Sequence, residues 1–247
     1  MSPFFLSLIV SFSIGLISYL GLFFASKKFS GLARLTPYLV SLAVGTLLGD
    51  AFIHLLPQAF EILPSSASGL TLSGLFLFFF IEKIFRWRHC HNVDCDDSRS
   101  HLAALNLAGD LVHNFIDGLL IAASFQVSLP LGITTSLAIM AHEIPQEIGD
   151  FGIMVHSGLP PSKALRLNFL VSLSSVFGTL LFFILGKSIT GLSDFLIPVT
   201  AGGFIYLASS DLIPELHRHT PRLSDSARQL AFIFIGLAFM YLLVFLE

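Results

Sequence analysis

Asp110, His113, Asn114 and Asp117 fall at i, i+3, i+4 and i+7, and Glu143, Gln146, Glu147 and Asp150 repeat that spacing further along the chain. At 3.6 residues per turn each set makes one polar stripe on a helix. His142 stands beside the second stripe and pairs with Gln146 at i, i+4. The surrounding residues are apolar, and no Lys or Arg lies between Arg99 and Lys163 to balance the acids. A carboxylate at the centre of a bilayer costs about 2.5–3.5 kcal/mol even on the insertion scale. Asp110, Asp117, Glu143, Glu147 and Asp150 together therefore require a cation from outside the chain, and a divalent metal ion is the expected one.

Imidazole with carboxylate suits Zn²⁺, Fe²⁺, Mn²⁺ and Cd²⁺, whereas a Ca²⁺ or Mg²⁺ site is expected to be nearly all oxygen. No thiolate lies on these stripes. Such ligands bind moderately and exchange, as an ion that must be released requires. Asp110, Asp150 and His156 lie toward one end of the stripes, where they read either as exit-path ligands or as interfacial side chains.

The elements that must carry these stripes follow from composition. The chain has 247 residues, is 54% hydrophobic and 12% charged, contains 26 Phe, and has a mean hydropathy of +0.84, which excludes a soluble domain or a disordered chain. Eight stretches are long enough to cross a bilayer as helices: 4–25, 37–58, 69–86, 101–126, 131–156, 164–188, 193–214 and 227–246. The basic residues of the first, third, fifth and seventh connections fall on one side, with Lys187 alone on the other. Lys and Arg favour the cytoplasmic side, so both termini are expected outside. Lys27 and Lys28 follow the first apolar run rather than precede it, which argues for a true span over a signal peptide. The net charge of -3 gives no sign of nucleic-acid binding.

Segment 87–100 is then a cytoplasmic loop. Its Cys90 and Cys95 are expected to stay reduced. With His89, His91, Asp94, Asp96 and Asp97 it reads either as a loose metal-collecting loop or as an ordinary solvated one.

The fourth and fifth stretches are antiparallel and joined by a short uncharged turn, so their clusters meet at one depth. Pro145 frees the carbonyl of Ala141 and invites a kink. Gly118, Gly149 and Gly152 permit close helix approach or sliding. A second echo, His54-Leu55-Leu56-Pro57-Gln58 against Asp211-Leu212-Ile213-Pro214-Glu215, suggests an inverted repeat.

His113-Asn114-Phe115-Ile116-Asp117-Gly118 and the run His142 to Phe151 resemble the signatures of the ZIP (Zrt/Irt-like) metal transporters, in particular the subfamily with HNxxD followed by HExPHExGD. Asp50 to Gln58 and Phe204 to His217 are similar to that family as well. The resemblance implies an all-α membrane protein of eight transmembrane helices in a 3+2+3 inverted repeat, both termini extracytoplasmic, forming one domain over 1–247. It implies movement of divalent metal into the cytoplasm; zinc is the expected cargo, with Cd²⁺, Fe²⁺ and Mn²⁺ accepted by the same ligands, and the small loops suggest a compact carrier of a cell membrane. The implied metal ligands are His113, Asn114, Asp117, His142, Glu143 and Gln146, with Asp50 and His54 lining the pathway. Helices 1, 4, 5 and 6 are expected to move as an elevator against a scaffold of helices 2, 3, 7 and 8. Gln146 stands where the subfamily has His, and a neutral amide cannot bridge two cations, so one tight ion is expected. The expected partners are divalent ions and the lipid bilayer, and a homodimer is compatible with the sequence. Two other readings share these residues: a passive metal channel, and an intramembrane zinc hydrolase in which His142-Glu143-x-x-Gln146 is a damaged HExxH motif.

Overall fold

A computed structural model describes residues 2–20, 36–87, 98–156, 158–186, 189, 191–218 and 223–246. Among them the chain is helical, with no strand. In an apolar solvent a helix satisfies its own backbone polar groups, and the runs of Leu, Ile, Val and Phe leave no alternative partner. The helices are α1 (Pro3–Ile17), α2 (Thr36–Ile62), α3 (Ala67–Trp87), α4 (Ser98–Val127), α5 (Leu129–His156), α6 (Pro161–Leu185), α7 (192–218) and α8 (Leu223–Leu243). A 3-10 turn, Ser18–Leu20, extends α1. Segment 88–97, which contains His89 and His91, lies outside the described residues.

Five of the rods are long and apolar enough to cross a membrane: α2, α6, α8, the Ala67–Ile84 part of α3 and the Leu192–Ser210 part of α7. α4 and α5 have the length, but they carry the acidic stripes; α1 is apolar but shorter. The outward faces are rich in exposed Phe, Leu and Ile, including Phe76, Phe80, Phe177, Ile184 and Phe234, as a lipid-facing surface requires. α2, α4 and α8 outrun the predicted spans because polar residues such as Glu61, Ser98 and Ser224 prolong the helix beyond the apolar run.

Two helices contain π turns at matching places. In α2 the turn is Asp50–Leu55, ahead of Pro57, and in α7 it is Leu207–Leu212, ahead of Pro214. Each proline lacks a donor and crowds the carbonyl four residues back, and a widened preceding turn relieves that conflict. The N–H of Leu56 accordingly reaches Ala51 and that of Ile213 reaches Ala208. Pro145, by contrast, leaves α5 a continuous α-helix.

Glycine sets the closest helix pairs. A Cβ on Gly45 of α2 would strike the carbonyl of Ile233 in α8, and one on Gly236 of α8 would strike that of Leu42. In α7 and α3 the same pattern recurs, with Gly202 against the carbonyl of Thr71 and Gly74 against that of Val199. Leu42 and Gly45 thus play in α2 the parts of Val199 and Gly202 in α7. A third reciprocal pair, Gly118 against Ser175 and Gly178 against Phe115, joins α4 to α6. Gly118 therefore does allow close approach, but Gly149 and Gly152 have no neighbour within 4 Å and border open space.

Candidate metal centre

The α4 and α5 stripes face each other in the middle of the bundle. His113 and Asp117 are one turn apart on α4, and His142 and Glu143 are adjacent on α5. One ligand atom from each of the four lies within 4.8 Å of all the others. The two Nε2 atoms are 3.1 Å apart. Nε2 of His113 is 3.7 Å from Asp117 Oδ2 and 3.5 Å from Glu143 Oε1, and Nε2 of His142 is 3.3 Å and 3.6 Å from the same oxygens. Zinc bonds of about 2.0–2.2 Å at tetrahedral angles require donor–donor edges of about 3.3–3.6 Å. The five edges that involve a histidine, 3.1–3.7 Å, bracket that range, and the Asp117 and Glu143 oxygens lie within 4.8 Å of each other. Two imidazoles and two carboxylates also match the donor set of a transition-metal site better than that of a hard-cation site.

The imidazole of His142 is oriented by its own helix, since Nδ1–H donates to the carbonyl of Ala138 at 3.2 Å. In the neutral ring this leaves the lone pair on Nε2, pointing into the cluster. Asp117 Oδ2 and both oxygens of Glu143 are buried without a hydrogen-bond partner. Unpaired buried acceptors facing imidazole lone pairs are stable only when a cation or protons enter among them. Asp117, His142 and Glu143 are buried, while the side chain of His113 is 15% exposed.

Asn114 and Gln146, the other two residues expected as ligands, are turned elsewhere. Asp110 Oδ1 accepts a hydrogen bond from Asn114 Nδ2 at 2.8 Å and another from Gln146 Nε2 at 3.2 Å. Next to Gln146 on α5, Glu147 is met by Asn168 of α6, which donates to its carbonyl at 3.2 Å and to its carboxylate. Asn168 is a buried polar residue of α6, and the structure makes it the partner of Glu147. Asp150 is buried near them, and His156 ends α5 with its side chain outside the described residues. Asp50 and His54 occupy the π turn of α2, where His54 Nε2–H donates to the carbonyl of Met240 in α8 at 2.9 Å.

A helical membrane bundle with a central His and carboxylate cage is the construction of a metal carrier. The model of the ZIP zinc transporter family matches residues 2–102 and 88–244, and this chain belongs to that family. It is therefore a multi-pass membrane transporter and not a hydrolase. It is 31% identical over 241 residues to the zinc transporter YKE4 of Saccharomyces cerevisiae, covering 83% of this chain and 70% of that protein. It is 34% identical over 197 residues to the zinc transporter ZIP13 of Pongo abelii, covering 72% and 58%. With the zinc transporter SLC39A7 of Rattus norvegicus it shares 40% identity over 150 residues, 58% of this chain but 32% of the longer relative.

Proposed function

We propose that this chain carries zinc into the cytoplasm through the cage of His113, Asp117, His142 and Glu143, with Asn114 and Gln146 able to swing toward an ion in transit. The observation that carries this reading is the set of four facing donors whose edges fit a tetrahedral ion. The names of the relatives support zinc as cargo; Cd²⁺, Fe²⁺ and Mn²⁺ are competitors with the same ligand needs. One ion is held tightly, because the neutral amide of Gln146 cannot bridge two cations as a carboxylate would.

Movement is by an elevator, α1, α4, α5 and α6 sliding against α2, α3, α7 and α8. The packing supports this division. Every interhelical glycine contact among the described residues joins helices within one of these groups: α4 with α6, α1 with α6, α4 with α5, α2 with α8, and α3 with α7. Hydrogen bonds run the same way, with Ser11 to Thr179, Ser174 to Leu111, Asn168 to Glu147 and Gln146 to Asp110 in the first group. His54 to Met240 and Tyr206 to Glu82 lie in the second. Between the groups lie apolar side chains such as Leu47, Ile121 and Ile139, which can slip without stranding a polar group. The matched π turns and glycine pairs of α2–α8 and α7–α3 support an inverted repeat.

Beyond the cage toward the α4–α5 turn, Leu120, Ile121, Phe125, Leu131 and Ile139 are buried, whereas Gly109, Gly149 and Gly152 at the other end border open space. By the distribution of basic residues the end carrying Asp110 and Asp150 faces the cytoplasm. The ion then leaves past Asp110, Glu147 and Asp150, with His156, His89 and His91 as later acceptors.

The test is zinc uptake into proteoliposomes containing the purified chain. Saturable uptake is expected; flux that rises without saturation would make it a channel, and no flux would reject transport. Metal must displace protons from its ligands, so the uptake KM is expected to rise as the outside is acidified. Anomalous scattering from zinc-loaded crystals is expected to reveal one fully occupied ion, and two at a bridging distance would refute the single-ion reading.

A further inference from the structure

His142 is held from three sides. Its Nδ1–H is bonded to Ala138, its Nε2 faces His113, and its ring meets Phe204 of α7, with centroids 6.1 Å apart and planes at 65°. Edge-on rings at this separation attract each other. Phe204 is 1% exposed within the main apolar cluster. Its backbone has little room to retreat. Adjacent Gly202 lies against the carbonyl of Thr71, and Gly203 lies against the ring of Phe78, both on α3.

We infer that Phe204 is a positioning residue for the transported metal, a brace from α7 that keeps the His142 imidazole aimed at the cage in the conformation described and releases it when the α5 group slides. The hydrogen bond to Ala138 fixes one end of the ring but leaves it free to pivot about that bond, which would swing Nε2 away from Asp117 and Glu143. The Phe204 ring occupies space that such a swing needs. A zinc–nitrogen bond of about 2.0–2.1 Å tolerates little displacement of its donor. Among the aromatic ring pairs of the described residues Phe204 meets His142 and not His113. This inference rests on the reading of the four-residue cage as the transport site.

The experiment uses the full chain, with zinc uptake in proteoliposomes and Co²⁺ absorption in detergent as a spectroscopic probe of the cage. Phe204→Ala is expected to raise the uptake KM about tenfold with Vmax within about twofold, the size of effect typical of outer-shell partners. The intense visible bands of tetrahedral Co²⁺ are expected to weaken in parallel. Phe204→Leu, which keeps most of the bulk, is expected to raise KM about threefold and retain most of the band intensity. Unchanged KM and Co²⁺ bands in both variants, even with a lowered melting temperature, would overturn the inference and leave the ring as packing only. If Phe204→Ala does not accumulate, the Leu variant decides, an unchanged KM counting against the brace. Failure of the cage itself is told apart by controls: wild type without tetrahedral Co²⁺ bands, or normal uptake by His142→Ala, would remove the site and this inference with it.

Discussion

In the layer of His113, Asp117, His142 and Glu143 both oxygens of Glu143 and Oδ2 of Asp117 lack a hydrogen-bond donor, whereas in the neighbouring layer Asp110 accepts two amide donors and Glu147 accepts one. The residue types are nearly the same, and the wiring differs. In the first layer the chain supplies only imidazole nitrogens and carboxylate oxygens, which under the proposed function leaves the charge deficit to be met by an ion. In the second the amides of Asn114, Gln146 and Asn168 supply part of what a cation would. One oxygen of Asp110 and one of Glu147 remain unpartnered there, enough to attract a passing ion but a weaker hold than four converging donors. A carrier needs both kinds of layer: one that captures and one that lets go.

The sharpest way to break this contrast is to empty the capturing layer. In the double variant His113→Ala, Asp117→Ala the cage loses both α4 donors. Uptake is expected to fall by more than about 100-fold, beyond the 10–100-fold typical of outer-shell changes. Radiolabelled zinc uptake measures it, and near-normal transport would show that the two layers do not differ as proposed.

A second variant erases the difference from the other side. Gln146→His replaces an amide donor to Asp110 with an imidazole donor for metal and lets the second layer capture as well. The expected outcome is a second bound metal per chain and a Vmax about tenfold lower, equivalent to about 1.4 kcal/mol of added retention. Metal stoichiometry by elemental analysis and uptake kinetics read the two effects separately.

The meeting of these four side chains was legible in the sequence because helical periodicity puts His113 with Asp117 and His142 with Glu143 on facing stripes. The wiring of the second layer was not. Asn114 sits four residues after Asp110, and nothing in the spacing decides whether its amide turns outward to an ion or back along its own helix. Spacing was equally silent on Gly118 against Gly149 and Gly152, since close approach depends on which helix arrives, and α6 reaches only the first. The repeat was visible as a short echo around Pro57 and Pro214. Its stronger signature lies upstream, in Gly45 with Leu42 and Gly202 with Val199, residues too ordinary in a membrane helix to draw notice until their partners are known. His54, read as lining the pathway, is tied to α8 through Met240, a contact from the far end of the chain.

Asp110→Asn tests the second layer more gently. An amide can still accept from Asn114 and Gln146 through its oxygen, but the negative charge that attracts an exiting ion is gone. A fall in Vmax of about threefold to fivefold is expected with KM little changed, since the cage keeps its donors. A tenfold rise in KM would instead assign Asp110 to the capturing layer.

The smallest expected effect belongs to Asn168→Ala. The amide of Asn168 ties α6 to α5 at Glu147, inside the group of helices proposed to move together. Interhelical polar contacts of this kind average about 0.6 kcal/mol in a membrane protein, a factor of about three. The loss frees the Glu147 carboxylate, so exit is expected to slow by about that factor while the cage, and with it the tetrahedral Co²⁺ spectrum, stays intact. Asn168→Asp sharpens the reading, because it replaces the donor with a second carboxylate and makes this layer more retentive. Vmax is expected to fall further in the Asp variant than in the Ala variant. The reverse order would mean that the contact serves only to hold α6 against α5, and that the second layer plays no part in release.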